Sequence, residues 1–232
     1  RATYNMTRLA AYSAELYDGL EAETGVATGY RRFGSLALAL TQDRMEELAR
    51  GAAMAGTFGL EAYMLNLSEC KEKYPMLEFS DGIGGVFIPG DGQADPGNIA
   101  LALAKGARMN GATVLENVKV TDVHQRHGRV TGVATEFGDI EADYVVNCAG
   151  MWGRDVGDMA GVSTPLHANE HFYIVTEPIE GLARDLPVLR VPDECTYYKE
   201  DAGKLLIGAF EPVAKPWGMN GISEDFCFDQ LP

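Results

Sequence analysis

The amino-acid sequence predicts an α/β fold with α+β character, in which a segment of parallel strands and helices is interleaved with an antiparallel sheet. An apolar, β-branched run at 144–148 ends at Ala149-Gly150, and a helix-like stretch follows at 152–159. This order is typical of a buried parallel strand that turns sharply into a helix. Helix and strand patterns alternate before this run, whereas strand patterns dominate the sequence after it.

The first elements are predicted to be a helix, a strand and a second helix. Apolar side chains recur at helical spacing in the first of these, at Leu9, Tyr12, Leu16 and Leu20. Gly25 ends that helix. A strand is predicted over 29–40, because leucines alternate with small residues near its end. Thr41 is a good N-cap for a helix from 42 to about 54.

Short elements are predicted up to residue 92. Residues 61–65 form a short strand pattern, and Ser68 is expected to cap a short helix that ends before Pro75. A further apolar strand is predicted over 83–88. The sequence Pro89-Gly90-Asp91-Gly92 closes it as a turn.

A long helix and a series of strands are predicted next. Asp95-Pro96 marks the helix start, and Asn110-Gly111 marks its end. Closely spaced strands follow at 113–116, 118–125, 129–136 and 139–141, with a turn at His127-Gly128. Antiparallel strands are predicted in the last part of the chain at 167–177, 188–191, 195–199 and 204–210.

Composition and charge exclude some classes of function. The net charge of −15 comes from 34 acidic and 19 basic residues, which argues against nucleic-acid binding, because that needs clustered lysine and arginine. Four cysteines without a C-x-x-C motif suit a reducing compartment, so we expect a cytoplasmic protein, with Cys148 a small buried hydrophobe. No apolar run approaches the roughly 20 residues of a membrane span, so no membrane partner is expected.

Several motifs in the same order carry a family resemblance. They are the run 16–34 with Glu23-Thr24-Gly25 and Phe33-Gly34-Ser35-Leu36, the loop Pro89-Gly90-Asp91-Gly92-Gln93-Ala94-Asp95-Pro96, the 145–150 strand pattern, His171-Phe172-Tyr173 and Tyr197-Tyr198. From about Arg8 to Trp217 the chain resembles FAD-dependent amine oxidoreductases of the D-amino-acid oxidase superfamily. It is most similar to the dimethylglycine and sarcosine dehydrogenase branch.

This resemblance implies FAD as cofactor and a small-molecule amine as substrate. An N-methylglycine-type secondary or tertiary amine would be oxidised by hydride transfer to the flavin. Residues 93–161 would be a segment of a Rossmann-like FAD-binding domain, with a substrate-binding domain formed by 1–92 and 162–232. No Gly-x-Gly-x-x-Gly motif occurs in the 232 residues, so we expect the first strand, turn and phosphate-binding helix of the FAD domain to be absent from this chain.

Three residues are candidates for cofactor binding. Gly150 lacks a side chain, so its main chain can pass close to the sugar-phosphate of a flavin nucleotide, with Ala149 as its neighbour. A simple strand-to-helix turn is the alternative for both. The resemblance implies main-chain hydrogen bonds from the segment at Val120 to the adenine edge, although an ordinary core valine is equally compatible with the sequence.

Two residues are candidates for catalysis. On a predicted strand His171 shares a face with Tyr173, and the resemblance implies that this histidine lines the substrate cavity. An imidazole can take a proton from an ammonium substrate near neutral pH. Tyr197 best matches the family's substrate-contacting tyrosine, with Tyr198 as the fallback. Structural roles, a satisfied histidine and sheet aromatics packed on the core, are the alternatives.

Other polar residues are weaker candidates. Asp95 is explained as a helix cap and Asp91 as a turn residue. Arg190 could anchor a carboxylate, although a surface ion pair is favoured, and the bend at 208–210 could border the flavin ring. We expect no metal site, because on one strand His167 and His171 would lie about 13 Å apart at roughly 3.3 Å per residue.

Two broader expectations complete the sequence analysis. A flavin-free binding or scaffold module with the same substrate-domain fold is the alternative to an enzyme, because the glycine motif is absent. Unpaired strand edges in the nucleotide-domain segment would promote association, so a homodimer is expected.

Overall fold

The structure, a computed structural model, describes residues 3–76, 78, 80–223 and 226. The described helices are α1 (Tyr4–Thr24), α2 (Gln42–Thr57), α3 (Leu67–Lys73), α4 (Pro96–Met109) and α5 (Gly153–Met159), with short 3-10 helices at Gly150–Trp152 and Pro192–Glu194. The described strands are β1 (Ser35–Ala39), β2 (Tyr63–Asn66), β3 (Gly84–Ile88), β4 (Val120–Arg126), β5 (Arg129–Thr135), β6 (Gly138–Glu141), β7 (Ala168–Asn169), β8 (Tyr173–Val175), β9 (Val188–Val191), β10 (Thr196–Asp201), β11 (Lys204–Ala209) and β12 (Pro216–Trp217). The predicted α/β class is confirmed.

The chain forms two compact units. Unit 1 contains Arg1–Val114 and Phe172–Pro212, and unit 2 contains Leu115–His171 and Val213–Pro232. Helix α4 therefore belongs to unit 1, where it packs against α1. No helix among the described residues is both long and apolar enough to cross a bilayer.

A mixed sheet of seven strands dominates unit 1, in the order β2-β3-β1-β9-β10-β11-β8. Strands β1 and β9 pair in parallel, and all other neighbours pair antiparallel. One face of this sheet carries the main core, because alternate residues of β1 and β9 point toward α3 and the loop before β9. The core consists of Leu36, Leu38, Leu189 and Val191 with Cys70, Tyr74, Leu182 and Leu186.

Local capping chemistry explains where the helices begin. The Thr41 side chain accepts a hydrogen bond from the Arg44 amide at 3.2 Å, as predicted for α2. The prediction that Ser68 caps the next helix is wrong, because α3 begins at Leu67 and Ser68 lies within it. Asn66 caps it instead and forms a reciprocal capping box with Glu69, with hydrogen bonds of 3.0 and 2.7 Å.

Helix α1 ends at Gly25 as predicted, but its apolar stripe is only partly buried. Gly25 ends it in the left-handed conformation and donates its amide to the Glu21 carbonyl. Leu20 is buried against Ile99, whereas Leu9 and Tyr12 are more than half exposed. The apolar stripe therefore contributes to the core of unit 1 only at its C-terminal end.

Unit 2 is built around a three-stranded antiparallel sheet in the order β4-β5-β6. His127 and Gly128 both have positive φ, of 52° and 74°, and form the predicted tight turn between β4 and β5. Helix α5 packs against β4, and the Gln125 side chain donates a 2.6 Å hydrogen bond to the Ala160 carbonyl. A two-stranded ribbon of β7 and β12 completes the described part of this unit.

Two predicted strands of the nucleotide-domain segment are wrong. Residues 113–116 and 144–148 have no strand pairing in the part of the chain that the structure describes. Tyr144 and Val146 are 84% and 81% exposed, and Cys148 is exposed rather than buried. A strand requires a hydrogen-bonded neighbour, and no described strand lies beside these segments.

The strand predicted over 167–177 is also interrupted. It forms β7 and β8 with an irregular segment at 170–172 between them. Glu170 donates its amide to the Lys215 carbonyl at 2.9 Å and forms an ion pair with the Lys215 side chain at 2.8 Å, so it stays with the β7–β12 ribbon and does not continue into β8. Strict strand alternation therefore does not apply between His171 and Tyr173.

Candidate functional site

Strand register aligns four residues on the face of the unit 1 sheet that lies opposite the main core. Arg190 pairs with Tyr197, Tyr197 pairs with Gly208, and Gly208 pairs with Tyr173. Residues directly opposite each other on neighbouring strands share a face, and Leu189 and Val191 on either side of Arg190 point into the core. These residues therefore form a row across β9, β10, β11 and β8.

Gly208 provides the space in which the Tyr197 ring lies. A Cβ atom at this position would overlap three atoms of the Tyr197 side chain, including its hydroxyl oxygen. The ring therefore lies directly over the Gly208 backbone, which is the close approach that a glycine in a strand permits. Its other neighbour is Phe210, with ring centroids 5.1 Å apart and an interplanar angle of 38°.

The phenol of Tyr197 is held in its protonated form. Partial burial raises the pKa of Tyr197 above its ordinary value, and the nearby Tyr173 and Glu211 side chains raise it further. At neutral pH the hydroxyl is protonated, as it is for a tyrosine with the ordinary pKa of about 10, and it can donate a hydrogen bond. Tyr198, the fallback candidate, points to the opposite face and packs against the main core.

Arg190 lies beside this tyrosine on the same face. Its guanidinium carbon is 6.0 Å from the centre of the Phe210 ring, which is within the range of a cation–π contact. The favoured interpretation of Arg190 as a surface ion pair is wrong, because it pairs with no carboxylate of the described residues. We call Arg190, Tyr197, Phe210 and Tyr173 the open-face cluster, since Tyr173 and Phe210 are 59% and 52% exposed.

A buried carboxylate holds the turn between β10 and β11, the two strands that carry Tyr197 and Gly208. Glu200 is 6% exposed and accepts hydrogen bonds from the Gly203 amide at 2.6 Å and from Arg184 at 2.7 Å. Ala202 and Gly203 both have positive φ, so the turn is the tight type that suits a two-residue hairpin. This contact keeps the register that places Tyr197 over Gly208.

A second carboxylate fixes the entry to β10. Asp193 accepts hydrogen bonds from the Leu40 amide at 2.9 Å, the Arg44 guanidinium at 3.1 Å and the Thr41 hydroxyl at 3.4 Å. Burial alone would raise the pKa of Asp193, but the hydrogen bonds from Leu40 and Arg44 outweigh it and lower the pKa below its ordinary value. The carboxylate therefore connects the 3-10 turn before β10 to the start of α2.

The three candidate cofactor residues lie in unit 2. Gly150 is exposed, has a φ of 57° and has no heavy atom within 4 Å of the position a Cβ would take. Asn147 organises this turn, because it accepts the Ala149 amide at 3.2 Å and donates to the Gly153 carbonyl at 2.8 Å. Val120 is half-buried at the start of β4, which is an edge strand of its sheet.

A shallow surface depression, with a cavity volume of only about 10 Å³, adjoins the turn at Gly150 within unit 2. Its lining includes Met151, Arg154, Asp155 and His167. Arg154 also donates to the Met219 carbonyl at 3.2 Å. Sequence reasoning missed Arg154, although its position four residues after Gly150, at the start of a helix pattern, was a usable signal.

The remaining candidates have simpler surroundings. His171 is exposed in the segment between β7 and β8. Asp95 caps α4 through the Asn98 amide at 2.9 Å, and Asp91 accepts the Ser35 hydroxyl at 2.5 Å, so neither carboxylate stands in a catalytic pair. No cluster of three or more potential metal ligands occurs among the described residues.

Similarity to known proteins extends over nearly the whole chain. The profile of the DAO family, described as "FAD dependent oxidoreductase", matches residues 1–227. The chain is 38% identical to 4-methylaminobutanoate oxidase (formaldehyde-forming) of Paenarthrobacter nicotinovorans, over 93% of this chain and 26% of that protein. It is also 38% identical to human mitochondrial sarcosine dehydrogenase, over 90% of this chain and 23% of that protein.

Two further similarities bear on function. The mitochondrial pyruvate dehydrogenase phosphatase regulatory subunit of Mus musculus is 38% identical, over 90% of this chain and 24% of that protein. Among solved structures, L-proline dehydrogenase from P. horikoshii matches with a TM-score of 0.80 and 26% identity, over 90% of this chain and 55% of that chain. The chain thus spans about a quarter of the length of the curated relatives it matches.

Proposed function

The chain belongs to the family of FAD-dependent oxidoreductases, and we propose that it carries the amine-binding part and a share of the FAD site of an enzyme that oxidises an N-methylglycine-type amine. In this proposal 1–92 and 162–232 serve the substrate and 93–161 serves the cofactor. The observation that carries the proposal is the open-face cluster, where a protonated phenol lies among aromatic rings on the exposed part of its sheet face. The relatives' names, an N-methylamino acid oxidase and sarcosine dehydrogenase, support the substrate class.

The residues of unit 2 fit a nucleotide cofactor. Gly150 presents bare main chain in the left-handed conformation with open space beside it, which suits close approach to a sugar-phosphate. Ala149 is held in this turn by Asn147. Val120 begins an edge strand, whose outward backbone groups are not used within the sheet and can meet the adenine edge.

When bound, FAD would supply the redox chemistry as the acceptor of a hydride from the carbon next to the amine nitrogen. The chain's own residues prepare the amine for this step. Tyr197 donates a hydrogen bond that orients the substrate, because its hydroxyl is protonated at neutral pH. His171 takes the proton of the ammonium form, because the nitrogen must be neutral before the neighbouring C–H bond breaks.

The cofactor assignment is tested by paired glycine variants. Gly150 and Gly161 both lie in unit 2, have φ of 57° and 63°, and have open space around the Cβ position. Alanine at either site carries the same left-handed strain of roughly 1–2 kcal/mol. We expect Gly150→Ala to weaken FAD binding by about tenfold or more, measured by quenching of flavin fluorescence, and Gly161→Ala to leave it unchanged. Equal affinities for the two variants would contradict the assignment of Gly150.

The catalytic assignments are tested with FAD present. Tyr197→Phe removes only the hydroxyl, and His171→Gln removes the proton acceptor. We expect both variants to retain FAD but to reduce the flavin more slowly with N-methylglycine, by about 10- to 100-fold for an interaction made in the transition state. Tyr198→Phe, which alters the phenol on the core side of the same strand, is the matched control. Wild-type reduction rates in Tyr197→Phe or His171→Gln would remove that residue from the mechanism.

A flavin-free binding or scaffold module is the second candidate function. The observation in its favour is the 38% identity to a relative whose name is that of a regulatory subunit. The two candidates differ in one measurable property, because a module of this kind would bind neither FAD nor an amine. Recovery of the chain without flavin after incubation with excess FAD would favour the module.

The proposal also includes self-association of the chain and a reducing cellular compartment. The apolar residues exposed at 144–148 lie outside any described strand ladder, and such segments favour pairing with another chain. We therefore propose a homodimer, which sedimentation velocity tests: a mass near twice 25.1 kDa is expected, and a concentration-independent monomer would refute it. The free described cysteines, Cys70, Cys148 and Cys195, suit a reducing compartment such as the cytoplasm.

A further inference from the structure

We infer that a cavity on the core side of the unit 1 sheet binds a short amino alcohol, a ligand with an ammonium group, a short apolar chain and a hydroxyl group. The cavity is lined by Tyr198 and other residues of the core face, whereas the open-face cluster lies on the opposite face of the same sheet. It is therefore a second site, and the inference does not depend on the proposed function.

The cavity has a volume of about 110 Å³ and an apolar floor. Leu38 of β1 and Val191 of β9 are only 3% and 5% exposed, and Leu40 and Tyr198 complete the floor. About 10–15 Å³ of such space holds one water molecule, so the cavity has room for a ligand of several non-hydrogen atoms. The apolar floor favours an alkyl chain, because binding removes apolar surface from water.

Three carboxylates line the solvent-exposed side of the cavity. They belong to Glu78, Asp81 and Glu194, all of which are exposed. No lysine or arginine of the described residues forms an ion pair with any of them. Arg44 lies close in the fold, but its guanidinium is bound to Asp193. The exposed side of the cavity therefore favours a cationic group and disfavours an anionic one.

Two buried hydroxyl groups beside the floor, those of Tyr74 and Thr196, have no hydrogen-bond partner among the described residues. Thr196 is directly paired with Val191 and lies on the same face of β10 as Tyr198, so it adjoins two residues of the floor. Tyr74 is fully buried in the same core cluster as Leu38, and burial, with the Tyr198 phenol nearby, raises the pKa of Tyr74 to about 12. A buried hydroxyl without a partner costs free energy, and a hydroxyl group on a ligand would remove that cost.

These three features together specify the ligand. The ammonium group lies among the exposed carboxylates, the short chain covers the apolar floor, and the hydroxyl group reaches the unpartnered hydroxyls beside it. N-methylglycine does not fit, because its own carboxylate would lie against Glu78, Asp81 and Glu194. The ligand class of this cavity is therefore different from that of the open-face cluster.

Three probes of equal size test the ligand class by NMR of the full chain with labelled methyl groups. The probe 3-amino-1-propanol has both polar ends, n-butylamine has a methyl group in place of the hydroxyl, and 1-butanol has a methyl group in place of the ammonium. We expect the Val191 methyl signals, identified by their loss in Val191→Ile, to shift saturably with 3-amino-1-propanol. Its affinity should exceed that of either other probe by about fivefold or more. Equal affinities for the three probes, or shifts as large at Val123 of unit 2, would overturn the inference.

Charge variants test the position of the ammonium group. The double variant Asp81→Asn with Glu194→Gln should weaken 3-amino-1-propanol binding by about threefold to tenfold, because exposed ion pairs are individually weak. It should leave the affinity for 1-butanol unchanged. The matched control, Glu177→Gln with Glu180→Gln, removes two exposed carboxylates elsewhere in unit 1 and should change both affinities less than twofold. Equal losses in the two double variants would show only an effect of net charge and overturn the inference.

Hydroxyl variants test the other end of the ligand. Tyr74→Phe and Thr196→Val each remove one unpartnered hydroxyl, a change that leaves no polar group without a partner and should not unfold the chain. We expect at least one of them to lose the preference for 3-amino-1-propanol over n-butylamine. A purely structural role would change the affinities for both probes equally, and a preference retained in both variants would overturn the inference.

Competition with N-methylglycine separates this cavity from the proposed amine site. N-methylglycine should neither shift the Val191 methyl signals nor displace 3-amino-1-propanol, whether or not the chain reduces flavin. Displacement of 3-amino-1-propanol by N-methylglycine would overturn the inference of a second site. Failure of flavin reduction with saturable binding at Val191 would contradict the proposed function and support the inference.

Discussion

The contact between Gly208 and the Tyr197 ring makes a quantitative prediction for a double-mutant cycle. Gly208 lies outside the left-handed region, so alanine can adopt its backbone conformation, but the new Cβ atom would overlap the Tyr197 ring. Overpacking of this kind costs about 1–3 kcal/mol. Replacing glycine by alanine also restricts the unfolded chain, which stabilises the protein by about 0.4–1 kcal/mol at a compatible site.

The two effects separate when the ring is removed. In the wild-type background Gly208→Ala should lower the free energy of unfolding by about 1–2 kcal/mol, as the overpacking cost exceeds the gain. In the Tyr197→Ala background the ring is gone, so the same substitution should raise the free energy of unfolding by about 0.4–1 kcal/mol. The coupling energy between the two positions should therefore be about 1–3 kcal/mol.

Urea unfolding of the four proteins, followed by circular dichroism, measures each free energy. The slope of free energy against urea concentration should be the same in all four, because the surface exposed on unfolding hardly changes. A coupling energy below about 0.3 kcal/mol, the size expected for independent sites, would refute the argument that Gly208 makes room for the ring. The proposed orientation of Tyr197 would then lose its structural basis.

Three other predictions concern the elements that hold the site in place. Glu200→Ala should lower the free energy of unfolding by about 1–3 kcal/mol, because the buried Gly203 amide loses its acceptor. The control Glu194→Ala removes an exposed carboxylate and should change the free energy of unfolding by less than about 0.5 kcal/mol in the same urea assay. The lowered pKa of Asp193 means that its carboxylate stabilises the fold above the unfolded-state pKa of about 4 and that this stabilisation is lost as the pH falls through the lower folded-state pKa. Asp193→Asn should therefore flatten the loss of stability below about pH 4, and an unchanged acid profile would contradict this. Asn66→Ala should cost about 0.5–2 kcal/mol through loss of the capping box, whereas Ser68→Ala should cost clearly less; equal losses in thermal unfolding would restore Ser68 as the cap.

Elements with a local cause were predictable from the sequence. The tight turn at His127-Gly128 and the helix start at Asp95-Pro96 follow from the residues themselves, and the structure has both. The cap of α3 was also visible, because Asn66 and Glu69 have the spacing of a capping box. The choice of Ser68 overlooked that reciprocal pair.

Elements that depend on a distant partner were not predictable. The apolar run at 144–148 has the composition of a buried strand, yet Tyr144 and Val146 are exposed, because strand formation depends on a neighbour that periodicity does not reveal. The ion pair predicted for Arg190 does not form for the same reason. The register of β9 against β1 and β10 decides which residues lie next to Arg190. The residues before and after Arg190 in the sequence do not.

The open-face cluster was only partly predictable from the sequence. The resemblance to the amine oxidoreductases singles out Tyr197, and the sequence predicts a bend at 208–210 that could border the flavin. The reason for their association is nonlocal, since Gly208 and Phe210 meet Tyr197 only through the antiparallel register of β10 and β11. The role of His171 stays a prediction, as does the role of each cofactor residue.

The measurement that tests the central claim most directly is the visible absorbance spectrum of the purified chain after incubation with excess FAD and gel filtration. If the chain is the amine-binding and FAD-binding part of an oxidoreductase, flavin bands should elute with the protein and bleach when N-methylglycine is added without oxygen. Elution of the protein without flavin bands, or with bands that no N-methylated amino acid bleaches, would contradict that claim.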